Sequence, residues 1–334
     1  MKNLTISDIA QKAGVSKTTV SRVMNSPEKV EESTRKKIEQ IMKASHYTPS
    51  ATARNLSRQA SSTVGVIVPE ISNAFFGDLF MGIEEIINKN NLSLLYCSNG
   101  DKMQKDFDAL DMMKTQRVKG VLYVPAINYP AVGMMKKLKK KLESLGCPAV
   151  CIDRDINLHM DTIHFNDRKA VKEAVLSLVK AGHSRIAFIN GNAEKNILAA
   201  ERREGYQEGL KEAGISEDES LIYEGEYQKS YAYLAMKDLM EKGINFTAVI
   251  TCNNSLGKGY LQAVHEAGRG NDFTHIVLDK IEMLDLLRIP NNYIFRDSHE
   301  MGRQAAEMLI SRIAFPDKKI QNVLLEPSLI KEIF

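Results

Sequence analysis

Two hydrophobic periods divide the chain. Across residues 5–25, apolar groups recur at helical spacing on either side of Gly14: Ile9, Ala10 and Ala13 before it, Val20, Val23 and Met24 after it, with Val15 at the corner. That spacing predicts a helix, a tight turn and a second helix. Thr5 stands three residues before Asp8, the interval of a capping box, and Ser16 can cap the second helix, so both starts are marked by side chains that accept free backbone N–H groups. A third helix is expected over residues 32–46, turning Ile38, Ile41 and Met42 onto the first two. Pro49 ends it, because the residue before a proline is pushed out of the helical region. Residues 50–57 could form one more short helix, unstable in water without a partner, and residues 59–63 read as linker.

Beyond Thr63 the period changes. The β-branched runs VGVIV, LSLLYC, GVLYV and AVCID alternate with amphipathic helices expected over residues 76–88, 107–115 and 132–145. The alternation then repeats: TIHF, RIAFI, LIYEG, AVIT and HIVL, separated by helices over residues 170–180, 200–212, 231–241 and 256–266. Strand–helix alternation implies a parallel sheet covered on both faces, and its recurrence implies two similar lobes. The expected fold is therefore an all-α helix-turn-helix headpiece over residues 1–48, a hinge over residues 49–61, and a two-lobed α/β domain over residues 62–334. Small ligands in such sheets sit at the carboxyl ends of the strands.

Charge separates the two parts more sharply than composition does. The 334 residues are 43% apolar and carry a net +3, yet residues 1–60 hold eleven Lys/Arg against five Asp/Glu, leaving the remainder at −3. A basic head on a slightly acidic body fits a head that meets a polyanion. The outward face of the second helix gathers Lys17, Thr18, Ser21, Arg22 and Asn25 with no acid among them. Such a face suits the major groove of duplex DNA, where arginine or lysine donates to guanine and hydroxyls reach phosphates or base edges. Thr5, Ser16, Thr19 and Thr34 complete the candidate DNA contacts in the headpiece.

Other chemistry finds little support. No stretch is long and apolar enough to span a membrane, and the polar start MKNLTISDIAQK has no hydrophobic leader, so a cytoplasmic protein is expected. Cys97, Cys147, Cys151 and Cys252 form no C-x-x-C pair and read as free thiols, three of them in strand-like runs. Phosphate-loop, zinc-protease and nucleophile-elbow signatures are missing. His159 and His164 flank Asp161 but lack further ligands, and the lysines of residues 136–141 read as a solvated face. Neither enzyme activity, nor a cofactor, nor a metal is expected.

The A-G-V-S-x-x-T-V-S-R core within residues 5–25, followed by the x-P-x-A-x-x-L run over residues 48–56, resembles the LacI/GalR family of bacterial transcriptional repressors, and the likeness extends over essentially the whole chain. The resemblance implies a homodimer whose hinge helices fold on a near-palindromic DNA operator, with Leu56 as a wedge in the minor groove and Ala53 packed beside it, and residues 324–334 offer no sustained heptad for a larger assembly. It also implies lobes like those of a periplasmic sugar-binding protein, divided as residues 62–162 with 293–323 and residues 163–291 with 324–334. The chain would cross between them near residues 161–165, 290–295 and 322–326. Phe75, Phe76, Asp153, Asn166, Arg202, Tyr227, Asn254, Asp279 and Asp297 would ring a small-molecule effector, one of the two phenylalanines facing the cleft and the other the core. This sequence has Asn253-Asn254 where the family usually has Asn-Asp, and Asp279-Lys280 where it usually has Asp-Asp. A lost carboxylate and a gained cation widen the expected effector from a sugar to a sugar acid or sugar phosphate. A solute sensor whose helices serve assembly, or a sugar-processing enzyme carrying a helix-turn-helix, are the rival readings.

Overall fold

The computed structural model describes residues 4–45, 47, 62–126 and 132–331, and it divides into two compact units, residues 1–61 and 62–334. In the first unit, α1 (Ile6–Ala13), α2 (Lys17–Asn25) and α3 (Glu32–Ala44) enclose Ile9, Ala10, Ala13, Val20, Val23 and Ile38. Ile6, Val15, Val30, Ile41, Met42 and Tyr47 pack around that core. Met24, expected inward, is half-exposed and stands outside it. The capping box forms as spaced: the Asp8 carboxylate accepts from the Thr5 amide at 2.7 Å while the Asp8 amide donates to the Thr5 hydroxyl at 3.4 Å. Gly14 closes α1 at φ +68°, a left-handed conformation that favours glycine, and so aims α2 across α1.

The second unit contains two six-stranded sheets. The first has the order β11-β5-β4-β3-β1-β2, built from β1 (Thr63–Val68), β2 (Ser93–Ser98), β3 (Val121–Tyr123), β4 (Ala149–Ile152), β5 (Asp161–Phe165) and β11 (Asn322–Leu325), all parallel. The second has the order β12-β10-β9-β8-β6-β7, from β6 (Ile186–Gly191), β7 (Ile222–Gly225), β8 (Ala248–Thr251), β9 (Thr274–Leu278), β10 (Asn292–Phe295) and β12 (Ser328–Ile330). Only β12 runs antiparallel there, against β10.

Helices cover both faces, as the strand pattern requires. Along β1, Val64, Val66 and Val68 point to α4 (Ala74–Lys89) and α12 (Ser298–Ala314), while Ile67 points to α5 (Met103–Thr115) and α6 (Val132–Glu143). The alternation is the period of two that puts successive strand side chains on opposite faces. In the second lobe α7 (Asp167–Lys180), α8 (Ile197–Glu212), α9 (Lys229–Glu241) and α10 (Asn254–Glu266) enclose Phe188, Tyr206, Tyr260 and the β8 side chains, and the short α11 (Glu282–Leu287) follows β9. Gly82 and Gly302 let α4 and α12 approach backbone to backbone: a Cβ on Gly82 would meet the His299 carbonyl, and one on Gly302 the Leu79 carbonyl.

Two expectations need correction. The expected lobe bounds, between residues 162 and 163, 291 and 293, and 323 and 324, fall inside or at the edge of strands: β5 lies wholly in the first sheet, β10 wholly in the second, and β11 in the first. The chain therefore crosses after Phe165, after Phe295 and after Leu325. TIHF reads equally well as the last strand of one lobe or the first of the next, and its pairing with β4 and β11 decides. Secondly, most helices start two to four residues before their apolar period begins, because Asn73, Asn166, Asn196 and Asn253 cap α4, α7, α8 and α10 at the strand ends. Those capped N-termini look into the space between the lobes, where the strands also end.

Candidate functional site

The headpiece presents its polar face on α2. Lys17, Thr18 and Arg22 are exposed there, and Ser21 is half-buried beside them. Thr5, Ser16 and Thr19 are partly engaged in holding the helices: Thr5 in the capping box, and Ser16 accepting from the Thr19 amide at 3.1 Å with the two hydroxyls 2.9 Å apart. Thr34 is half-buried in the first turn of α3 and Asn25 ends α2. Arg35 and Lys36 are balanced by Glu39 and Glu32, at 3.8 and 2.9 Å, whereas among the described residues no acid pairs with Lys17 or Arg22 of α2. Ala53 and Leu56 lie outside the described residues.

Between the lobes, a cleft lies at the carboxyl ends of the strands, the place where small ligands sit in such folds. Its floor is a chain of buried ion pairs. Arg202 of α8 donates to one Asp167 oxygen through Nε at 2.8 Å and Nη2 at 2.6 Å, and through Nη1 to the Tyr227 hydroxyl and the Cys252 carbonyl at 3.0 and 2.8 Å. Arg296, at the end of β10, forks onto Asp279 at 2.8 and 2.7 Å and reaches Asp167 at 3.3 Å and Asp153 at 3.5 Å. Arg154 holds Asp101 at 2.5 Å and the Pro125 carbonyl. The guanidinium of Arg296 lies 4.3 Å from the centre of the Phe75 ring, an orientation that adds cation–π attraction.

Asp153 and Asp279 occupy matching places in the two lobes. Each follows the fourth main strand of its sheet by one residue, each has φ near +65°, and each donates its amide to the next strand, to Ile163 at 2.8 Å and Ile294 at 3.0 Å. The left-handed turn swings both carboxylates off the sheet toward the cleft. Asp153 is buried, and one of its oxygens, Oδ1, has no hydrogen-bond donor. Burial pushes its carboxyl up from the ordinary range, with Arg296 and Arg154 opposing. For Asp167 burial also disfavours the charge, but Arg202 and Arg296 together outweigh it and hold the carboxyl below the ordinary range. Burial is again the main cause at Glu201, reinforced by Asp167, and its carboxyl rises to about 7.

The sequence-level candidates divide accordingly. Phe75, Phe76, Asp153, Arg202, Tyr227 and Asp279 come together around the cleft. Both phenylalanines are buried and both line it, as an edge-to-face pair 5.2 Å apart, which corrects the expected division of one to the cleft and one to the core. Asn166 caps α7 and donates to Glu326 at 3.2 Å, away from the cleft lining, while its neighbour Asp167 takes the buried position. Asp297 caps α12 and Asn254 bonds to Asn73, and both line a second pocket behind the first. Lys280 also faces that rear pocket and pairs with Asp285 at 2.5 Å, so the added cation is not presented to the front cleft.

Sequence reasoning missed Arg296, Arg154 and Asn73. Arg154 and Arg296 stood as charged residues at strand ends one position from Asp153 and Asp297, and Asn73 as an amide two positions before Phe75. At a strand-to-helix junction, adjacent side chains point in opposite directions, and the backbone torsions decide which of the two enters the cleft.

Residues 61–332 match the family described as periplasmic binding proteins and sugar binding domain of LacI family, and residues 5–50 match bacterial regulatory proteins, lacI family. The chain belongs to the LacI family. Among LacI-family proteins it is 30% identical over 317 residues to the catabolite control protein A of Priestia megaterium, covering 92% of each chain. It is 29% identical over 331 residues to the transcriptional repressor PurR of Vibrio atlanticus (strain LGP32), covering 98% of this chain and 97% of that one. The fold is similar to that of the lac repressor dimer bound to operator and the anti-inducer ONPF, with a TM-score of 0.83 and 25% identity over 99% and 98% of the two chains. As a LacI-family member the protein is a ligand-responsive, DNA-binding regulator of transcription and not an enzyme. No described helix is long and apolar enough to cross a membrane, and no described residues form a metal-ligand group. All four cysteines are free thiols.

Proposed function

We propose that the protein is a cytoplasmic repressor of carbohydrate-utilisation genes whose effector is a neutral, hydroxyl-rich small molecule. The observation that carries this reading is the charge balance of the cleft lining, in which Arg154, Arg202 and Arg296 are each already paired with a carboxylate. A hydroxyl can both donate to a lining carboxylate and accept from a lining arginine, whereas an anion would have to compete with carboxylates already in place. The three arginines of the lining meet four lining carboxylates, Glu70, Asp101, Asp153 and Asp279, and buried Asp167 as well, so no surplus of cation awaits an acid or a phosphate. The paired rings of Phe75 and Phe76 offer an apolar wall to the C–H face of a sugar. The lysine that suggested a sugar acid or phosphate stands in the rear pocket, paired with Asp285.

On the DNA side, Arg22 and Lys17 are proposed to read or position the operator from the exposed face of α2, with Thr18 and Ser21 beside them. By the family pattern, Ala53 and Leu56 of the two hinges would open the centre of a palindromic site. Calorimetric titration of the full-length protein with neutral sugars, sugar acids and sugar phosphates tests the effector class. Binding of a neutral sugar that Asp153→Asn weakens supports the reading, and a response confined to acids or phosphates overturns it.

A further inference from the structure

We infer that Asn73 and Asn254 form a latch that favours the closed arrangement of the two lobes. Asn73 belongs to the first lobe, at the N-cap of α4, and Asn254 to the second, as the first residue of α10. Their side-chain amides exchange two hydrogen bonds across the gap, Asn254 Nδ2 to Asn73 Oδ1 at 3.0 Å and Asn73 Nδ2 to Asn254 Oδ1 at 3.3 Å. Asn254 is 2% exposed and Asn73 is half-buried, so the pair joins the front cleft, lined by Asn73, to the rear pocket, lined by Asn254.

The orientation of the pair is fixed from one side. Asn73 Oδ1 also accepts from the Phe75 amide at 3.1 Å as the cap of α4, so this amide cannot flip without uncapping the helix. Its Nδ2 must then point at position 254, which needs an acceptor for that group and a donor for Oδ1. Asparagine offers both. Aspartate, the residue that the family pattern noted above has at this place, is acceptor-only when ionised and would set an anionic oxygen against Asn73 Oδ1. Opening the lobes lets water satisfy either residue, so Asn254→Asp disfavours the closed state and leaves the open one untouched. It also puts a carboxylate in the first turn of α10, where the helix dipole favours it, so the fold of the second lobe is not placed at risk. The closed population of the ligand-free repressor, and with it the reserve left for an effector to shift, is thereby set by residue 254. The inference rests on the two-lobed geometry alone and not on the effector's identity.

The test uses the full-length, ligand-free protein in a Cys97→Ser, Cys147→Ser background, spin-labelled after Lys89→Cys and Lys258→Cys, two exposed positions on α4 and α10. Dilution with unlabelled chain isolates the distance within one subunit. Asn254→Asp is expected to move the inter-lobe distance distribution to longer values, and Asn254→Ala to move it the same way by less. If Asn254→Asp fails to fold, Asn254→Ala must still show the shift. Distributions that match the parent in the folded variants would overturn the latch.

Discussion

Replacing Arg202 with methionine removes the main partner of Asp167 while filling a similar volume. Asp167 is 1% exposed and loses both of its short bonds, at 2.8 and 2.6 Å, keeping Arg296 at 3.3 Å. That arginine is already forked onto Asp279 at 2.8 and 2.7 Å, so it cannot turn to compensate. Breaking a buried pair from one side costs about 3–5 kcal/mol. The stranded carboxylate can escape by taking a proton, and at pH 7 that route costs about 4 kcal/mol for an ordinary aspartate, which bounds its share of the loss. The sign of the pH dependence follows. In the parent, Asp167 is held below the ordinary range, so its contribution is present above the unfolded value and is lost only as pH falls through the folded one. In Arg202→Met the folded value lies above the unfolded one, so stability declines as pH rises between them. The gap between the two proteins should therefore widen by up to about 1.4 kcal/mol per pH unit from the acid side toward neutrality. Scanning calorimetry of both proteins from pH 4.5 to 7.5 measures it, and the melting temperature at pH 7 should fall on the order of 10 °C. A gap under about 1 kcal/mol at pH 7, or one that does not change with pH, would refute the assignment of Arg202 as the neutralising partner.

Three further outcomes are expected. Arg22→Ala should cost about 1–3 kcal/mol of operator binding and relax base preference at one position per half-site, read by fluorescence anisotropy on a randomised operator set. Gly302→Ala drives a methyl group into the Leu79 carbonyl and should lower stability by about 1–3 kcal/mol in calorimetry, because α4 and α12 must move apart. Glu201, whose carboxyl is raised to about 7 by burial and by Asp167, keeps its proton in the fold at pH values where the unfolded chain has lost it. The parent should lose stability as pH rises toward 7, and Glu201→Gln should flatten that part of the profile, with an unchanged slope counting against the shift.

Local chemistry was enough to determine the headpiece, the alternation of strands and helices, and the basic head on an acidic body. Capping intervals, a glycine at a left-handed turn and apolar periods act over a few residues, so Thr5, Gly14 and Ser16 announce their roles in the sequence. The residues that surround the cleft were legible from the residues alone only as loops that follow strands, and it was the family resemblance that singled out Phe75, Asp153, Arg202, Tyr227 and Asp279. Tertiary structure alone decided which sheet TIHF joins, since pairing with β4 and β11 is a non-local choice that periodicity does not encode. It also decided between neighbours. Asp167 and not Asn166, and Arg296 beside Asp297, enter the buried ion network, because backbone torsions at each strand end turn one of two adjacent side chains inward. The pairing of Asn73 with Asn254 joins residues 181 positions apart and becomes visible when two helix N-termini meet across the lobes.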